Sequence, residues 1–177
     1  MRILLHVCCG PCATHPFLAL KAAGHAVEGY FYNPNIHPFQ EWKRRREALE
    51  KFSSEAKFPV RYPERYNPEE YFRAVSFHED ERCPRCYRLR LVAAAREAKA
   101  HGFDAFTSTL LISVKQKHDL IRRIGEETAS AAGIAFFYQD FRTGWNEHWK
   151  ITEQHGLYKQ QYCGCLFSER ERYGNGI

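Results

Sequence analysis

The chain has 177 residues, of which 44% are hydrophobic and 27% charged, a composition typical of a folded globular protein and not of a disordered one. This length can build one well-cored domain, so we expect a single domain over 1–177, with an α/β core at 1–139 and a C-terminal segment at 140–177. The net charge of +5 permits a polyanionic partner without proving one, and the absence of a secretory signal or of a run of ~20 apolar residues predicts a cytoplasmic protein without a membrane partner.

Apolar runs and turn residues alternate along the chain. They predict a buried strand at 2–7, a helix at 14–23 and a second strand at 25–32. The further predicted elements are a helix at 41–56, a strand at 59–62, a short helix at 68–75, a helix at 86–101, a strand at 104–111, a helix at 115–132, a strand at 134–138 and a helix at 145–155. This alternation predicts an α/β fold with a single doubly wound, mostly parallel sheet, followed by a C-terminal segment of mixed helical character.

All seven cysteines fall into three clusters: CCGPC at 8–12, CPRC at 83–86 and CGC at 163–165. In a reducing cytosol such clusters are more often metal-binding or catalytic than structural disulfides, and an odd count argues against a fully paired disulfide framework. The CCGPC run follows the first strand and precedes a helix, at the end of the sheet where open parallel sheets bind ligands. A helix N-terminus also lowers thiol pKa values.

The CPRC spacing lets two sulfurs bind one metal ion or one cluster. Together with the first group it supplies enough thiolates for a structural zinc site or a [4Fe-4S] cluster. We favour iron–sulfur because the first group lies at the ligand-binding end of the sheet and has a cysteine to spare. The CGC pair can close a small, strained disulfide, which is easily reduced, so we interpret it as a redox-active dithiol that relays electrons.

Motifs along nearly the whole chain point to one family. They are LHVCCGPCATHP at 5–16, FYNPNIHP at 31–38, CPRCYRLRL at 83–91, FTSTLLISVKQKHD at 106–119, DFR at 140–142 and YKQQYCGCLFS at 158–168. In these motifs the chain resembles the cobalamin-independent, QueH-type epoxyqueuosine reductases. One departure is SVKQKHD, where the family often has a Pro and an Asn, which leaves the role of that loop open.

The resemblance implies a fold similar to the adenine-nucleotide α-hydrolases, which are PP-loop-like. It also implies a [4Fe-4S] cluster held by Cys8, Cys9, Cys83 and Cys86, and a redox-active Cys163–Cys165 pair. The implied reaction is the last step of queuosine biosynthesis, in which epoxyqueuosine in tRNA takes up two electrons to give queuosine and water. The implied partners are a tRNA with a queuosine-type anticodon loop and an unidentified electron donor.

Two further residues are candidates for the reaction. Cys12 is the spare thiol, and we hypothesise that it lines the substrate pocket or binds an additional iron. Asp140, in the DFR motif, is a candidate acid or ligand, and Arg142 a candidate phosphate partner. The run at 43–46 (KRRR) and the lysines at 115 and 117 are candidate phosphate contacts, although a solvated helix face is the favoured interpretation of KRRR because acidic residues dilute it.

Two alternatives stay open. A PP-loop-like, ATP-dependent tRNA-thiolating enzyme combines this kind of fold with clustered cysteines. It would need a Gly-Ser-rich pyrophosphate loop after the first strand, where this chain has HVCCGPCATH. A zinc-stabilised RNA-binding module would use the same cysteines for structure alone.

Overall fold

The computed structural model describes residues 1–174, and its five strands form a parallel sheet in the order β3-β2-β1-β4-β5. The strands are β1 (Arg2–His6), β2 (Ala26–Tyr30), β3 (Val60–Arg61), β4 (Ala105–Ser108) and β5 (Ala135–Phe136). The α-helices are α1 (Gly10–Ala22), α2 (Phe39–Ala56), α3 (Glu69–Val75), α4 (Arg82–Ala100), α5 (His118–Ala132), α6 (Trp145–Gln154) and α7 (Leu166–Tyr173). Short 3-10 turns occupy Glu79–Glu81, Thr109–Ile112 and Phe141–Gly144. The predicted α/β fold is confirmed.

The central strand β1 fixes where a ligand can bind. Its apolar side chains Ile3, Leu4 and Leu5 are completely buried, as expected for a parallel strand covered on both faces. β1 pairs with β2 on one side and β4 on the other, so the order of connection reverses between β1 and β4. In open α/β sheets the crevice at the carboxyl ends of two such strands is the ligand-binding position.

Helices cover the sheet in two groups. α1 packs against α2 and α6, whereas α4 packs against α5, β1 and β4. The contact between α1 and α2 is close enough to require a glycine. A Cβ atom on Gly10 would lie 2.6 Å from the backbone oxygen of Ala48, so a side chain there would push the two helices apart.

Two helices begin four residues earlier than predicted, and both changes place cysteines inside helices. α1 begins at Gly10 instead of residue 14, and α4 at Arg82 instead of residue 86. The first turns of α1 and α4 contain Pro11 and Pro84, and proline is tolerated there because its missing N–H has no intrahelical partner. Cys12, Cys83 and Cys86 are therefore held on helices.

The C-terminal segment is more helical than predicted. Besides α6 it contains α7, which follows the CGC pair directly. Residues 175–177 of the predicted segment lie outside the described residues, and the division of the chain at 139 stays a prediction. In the part of the chain that the structure describes, no helix combines the length and apolarity needed to cross a bilayer.

Candidate metal and redox site

All three cysteine clusters lie at helix N-termini. Cys9 is the N-cap of α1, and its sulfur accepts the backbone N–H of Cys12 at 3.4 Å. Cys165 is the N-cap of α7 and accepts the N–H of Ser168 at 3.4 Å in the same way. Cys83 and Cys86 lie in the first turns of α4. The positive end of each helix dipole therefore points toward sulfur, an environment that stabilises thiolates.

The first cluster forms a tight triad. The sulfurs of Cys8, Cys9 and Cys12 lie within 4.8 Å of one another, close enough to hold one metal ion. The triad occupies the crevice between β1 and β4, because the backbone N–H of Cys8 donates to the Thr109 hydroxyl at 3.1 Å and that hydroxyl lies 3.4 Å from the Cys8 sulfur. The CCGPC run therefore follows β1 at its carboxyl end, as predicted, and its role as a ligand set stays a prediction.

The three thiols of the triad differ in the direction in which their pKa values are shifted. Hydrogen bonds from Cys12 and Cys9 hold the pKa of the Cys8 thiol well below its usual range. Burial raises the pKa of Cys9, and the hydrogen bond with Cys8 raises the pKa of Cys12. Cys8 is therefore the most acidic thiol of the triad, and a cation bound between the three sulfurs would displace their protons.

The second and third clusters are packed against each other. Cys86 and Cys165 are both buried in a small apolar group with Tyr71 and Val75, whereas Cys83 packs against the main core. Burial raises the pKa of Cys86 to about 12, and it also raises the pKa of Cys83. These thiols are neutral until a metal or another cation compensates their charge.

The CGC pair combines one exposed and one buried sulfur. Cys163 is exposed, Cys165 is buried, and both are free thiols. The side-chain amide of Gln116 donates to the Cys163 sulfur at 3.2 Å, and Gln116 also accepts a hydrogen bond from the Tyr87 hydroxyl at 2.7 Å. Gln116 thus connects α4, the loop before α5 and the CGC pair.

Buried polar contacts tie the CGC segment to α2 and to the loop before it. Arg45, 1% exposed, donates to the carbonyls of Cys163 and Tyr162 at 2.8 and 2.9 Å. Its Nε–H donates to the Glu41 carboxylate at 2.7 Å. The backbone N–H of His37 donates to the Gly164 carbonyl at 2.8 Å. Gly164 has a φ of +138°, a conformation that favours glycine.

Asp140 lies at the same edge of the sheet. It caps the 3-10 turn at Phe141–Gly144, which packs against the turn at Thr109–Ile112. Hydrogen bonds from Arg142 hold the pKa of Asp140 at about 2, and the two side chains form an ion pair of 2.6 Å. Asp140 is therefore a carboxylate at neutral pH, a state suited to binding a metal or accepting a proton.

His6 is a packed strand residue. Its Nε2–H donates to the Tyr32 carbonyl at 3.0 Å, so its Nδ1 accepts from the Ser108 hydroxyl at 2.9 Å. Burial, with the nearby charge of Arg90, lowers the pKa of His6 to about 4. The ring is neutral and bonds three segments together.

The structure thus regroups the predicted site residues. Cys12, predicted to be the spare thiol, belongs to the tight triad with Cys8 and Cys9, whereas Cys83 and Cys86 lie outside it on α4. The CPRC and CGC clusters adjoin each other. Among the described contacts, none joins the Asp140 carboxylate to a cysteine sulfur.

Most of the candidate phosphate contacts are engaged elsewhere. In the KRRR run, Lys43 and Arg46 form ion pairs one helical turn away with Glu47 and Glu50, and Arg45 is buried. These ion pairs favour the interpretation of KRRR as a solvated helix face, with the exception of the buried Arg45. Lys115 and Lys117 are exposed beside Gln116.

The burial of two arginines was not predicted from the sequence. Arg45 lies in KRRR and Arg90 in CYRLRL, and each is 1% exposed. A signal was present, because each lies on the apolar stripe of its helix. Arg90 follows Cys86 by one turn, and Arg45 precedes buried Leu49 by one turn.

Comparison with known proteins agrees with this architecture. The model of a family described as epoxyqueuosine reductase QueH matches residues 3–171. Proteins of that name from Dehalococcoides mccartyi and Thermotoga maritima are 42% and 37% identical to this chain. The alignments cover 98% and 96% of this chain and 95% and 91% of those proteins.

A solved structure resembles the fold at low sequence identity. It is described as a predicted subunit of a tRNA methyltransferase from Methanocaldococcus jannaschii and matches with a TM-score of 0.51 at 12% identity, covering 87% of this chain and 88% of that one. At this identity the likeness concerns the fold alone.

Proposed function

Because this chain belongs to the epoxyqueuosine reductase QueH family, we propose that it reduces the epoxide of epoxyqueuosine in tRNA by means of an iron–sulfur cluster and a dithiol. Both C–O bonds of the epoxide break, a C=C bond forms, and the oxygen leaves as water. The balance requires two electrons and two protons. The observation that carries the proposal is that each of the three cysteine clusters lies at a helix N-terminus, with the sulfurs of Cys8, Cys9 and Cys12 within 4.8 Å of one another.

We assign the cluster ligands to Cys8, Cys9, Cys83 and Cys86. The donor set fits, because these sulfurs are buried or half-buried and lie at the positive ends of α1 and α4. The charge of the buried Arg90 acts on Cys86 and Cys8, and its Nη2 has no hydrogen-bond partner among the described residues. When bound, a [4Fe-4S] cluster supplies single electrons and an iron that acts as a Lewis acid toward the leaving oxygen.

The dithiol would supply the electron pair. Oxidation of Cys163 and Cys165 to a disulfide releases two electrons and two protons, which equals what the epoxide takes up. Exposure of the Cys163 sulfur gives a reductant access to it, and the amide of Gln116 holds its position. An external electron donor then returns the disulfide to the dithiol.

Cys12 and Asp140 complete the proposed site. The position of Cys12 beside Cys8 and Cys9 supports a role as ligand to an additional iron. The charge of Asp140 supports metal binding or proton acceptance in preference to proton donation. The exposed lysines at 115 and 117 are proposed contacts for the tRNA backbone.

The test is an anaerobic assay on tRNA containing epoxyqueuosine, with a chemical reductant and nucleoside mass spectrometry. We expect queuosine to form, the purified protein to be brown, and iron and sulfide to be present. Cys163→Ser should abolish turnover while keeping iron and sulfide, and Arg123→Gln, on the exposed face of α5, should leave both unchanged. A colourless protein with stoichiometric zinc would instead support the zinc-stabilised RNA-binding module.

A further inference from the structure

Arg90 is a buried cation whose hydrogen-bonding capacity is incompletely used. The residue is 1% exposed, and its Nε donates to the Cys86 carbonyl at 3.3 Å. Its Nη2 has no hydrogen-bond partner among the described residues. Buried N–H groups of charged side chains are rarely left unpaired, because they lose their bonds to water. The Nη2 of Arg90 is therefore free to donate a hydrogen bond to a bound group.

Arg45, the other buried arginine near the cysteines, has the partners that Arg90 lacks among the described residues. Arg45 is equally buried, but it is paired with the Glu41 carboxylate and donates to the carbonyls of Tyr162 and Cys163. Among the ion pairs of the described residues, Arg90 has no carboxylate partner. The groups that can compensate the charge of Arg90 are chiefly cysteine thiols, and a buried charge is stable only when it is paired, so the site of Arg90 suits an anionic group bound to those thiols.

The position of Arg90 relates it to all three cysteine clusters. It lies one helical turn beyond Cys86 on α4. The groups with which its charge interacts most strongly include one thiol of each cluster, namely Cys86, Cys163 and Cys8. The charge of Arg90 therefore acts on a thiol of each cluster, and an inorganic group bound between the clusters would lie within its field.

We propose that Arg90 donates its free Nη2–H to a sulfur of the bound cluster and offsets part of the cluster's negative charge, as a positioning residue that sets the reduction potential. This inference rests on the proposed function. Hydrogen bonds to the sulfurs and net charge are principal determinants of iron–sulfur potentials. A fixed cation favours the reduced, more negative form, so Arg90 raises the potential. Arginine suits this place better than lysine because its guanidinium is less strongly hydrated and its donors are fixed in a plane.

Three substitutions separate charge from hydrogen bonding. Arg90→Lys keeps the charge, Arg90→Gln keeps an N–H donor, and Arg90→Met keeps neither at similar length. Arg96→Gln, on the exposed face of the same helix, is the matched control. The anaerobic holoprotein of each variant is titrated with a redox mediator series and followed by visible absorption and electron paramagnetic resonance, and iron and sulfide are counted on the same samples. Circular dichroism shows that each variant is folded.

We expect the reduction equilibrium of the cluster to become about tenfold less favourable in Arg90→Gln, which corresponds to about 59 mV for one electron. We expect a larger loss in Arg90→Met, a smaller one in Arg90→Lys, and none in Arg96→Gln. Iron release to a chelator should be fastest in Arg90→Met, slower in Arg90→Gln and slower again in Arg90→Lys, with Arg96→Gln unchanged. If Arg90→Met does not fold, the Lys and Gln variants carry the test.

The outcomes distinguish this inference from the proposed function. A wild-type protein with iron and sulfide, in which Arg90→Gln and Arg90→Lys both keep the wild-type potential, would overturn the role of Arg90 and leave the cofactor in place. A wild-type protein that binds no iron and sulfide after anaerobic reconstitution would overturn the cofactor, and the role of Arg90 with it.

Discussion

Replacing Arg45 with Met would test how the CGC pair is held in place. The substitution keeps the length of the side chain but removes a buried charge, its bond to Glu41 and its bonds to the carbonyls of Tyr162 and Cys163. Hydrogen bonds from a charged donor contribute about 1.5–3 kcal/mol each, and breaking a buried ion pair from one side costs about 3–5 kcal/mol. Because these figures describe overlapping effects, we expect a total loss of about 3–5 kcal/mol.

The loss should be concentrated in the C-terminal segment. Urea unfolding measures the loss in the free energy of global unfolding. Alkylation of Cys165 in the native protein, read by peptide mass spectrometry, measures local detachment of the C-terminal segment, because this buried thiol becomes accessible when the segment detaches. Arg46→Met is the matched control, since its exposed ion pair with Glu50 contributes only about 0.5 kcal/mol. The double variant Glu41→Gln with Arg45→Met should recover part of the loss by removing the unpaired carboxylate.

The reasoning fails if Arg45→Met changes the free energy of unfolding by less than about 1 kcal/mol, well below the range expected for a buried pair, and leaves Cys165 labelling at the wild-type rate. A result of this kind would mean that the other contacts of the segment, among them His37 to Gly164 and Gln116 to Cys163, hold it without Arg45.

Three further predictions concern the core and the triad. Gly10→Ala should destabilise the protein by about 1–3 kcal/mol, because the new Cβ would lie 2.6 Å from the Ala48 backbone oxygen; urea unfolding checks this, and an unchanged midpoint would show that α1 and α2 separate freely. Cys12→Ala should lower the iron content and the activity of the anaerobic enzyme, and full activity with unchanged iron would remove Cys12 from the site. Burial lowers the pKa of His37 from 6.5 to about 4, so the unfolded chain takes up a proton more readily in this window and stability falls as the pH drops from 6.5 toward 4. His37→Gln should flatten this part of the pH dependence of urea unfolding, and an identical pH profile would contradict the assignment.

The sequence was sufficient for the sheet and for the location of the first cluster. The apolar run before Cys8 and the alternation of strands and helices require a buried parallel strand that ends at the CCGPC run. The helix starts were misplaced because Pro11 and Pro84 favour turns and first helical turns alike. No local pattern separates these two outcomes, which depend on what packs beneath the turn.

The polar groups around the sulfurs were harder to predict. Gln116 and Gln160 reach Cys163 and Cys12 from segments distant in sequence, and an uncharged polar residue in a loop carries no periodic signal. Arg90 did carry one, since it occupies the apolar stripe of α4. A charged residue in a buried stripe is usually paired, and its missing partner becomes visible only when the surrounding atoms are known.

The charges at the N-terminus of α1 separate the reductase from the PP-loop alternative. A pyrophosphate loop needs free backbone N–H groups and a positive field at the helix N-terminus. Here the Cys9 sulfur already accepts the N–H of Cys12, and the Cys8 thiol beside it has a lowered pKa. The lowered pKa favours a negatively charged sulfur where a nucleotide phosphate would have to bind, whereas a metal cation bound there would displace the thiol protons. The carboxyl end of the sheet therefore suits metal cations bound by thiolates in this chain, and Arg90 would offset part of the net negative charge that four thiolates bring to such a centre.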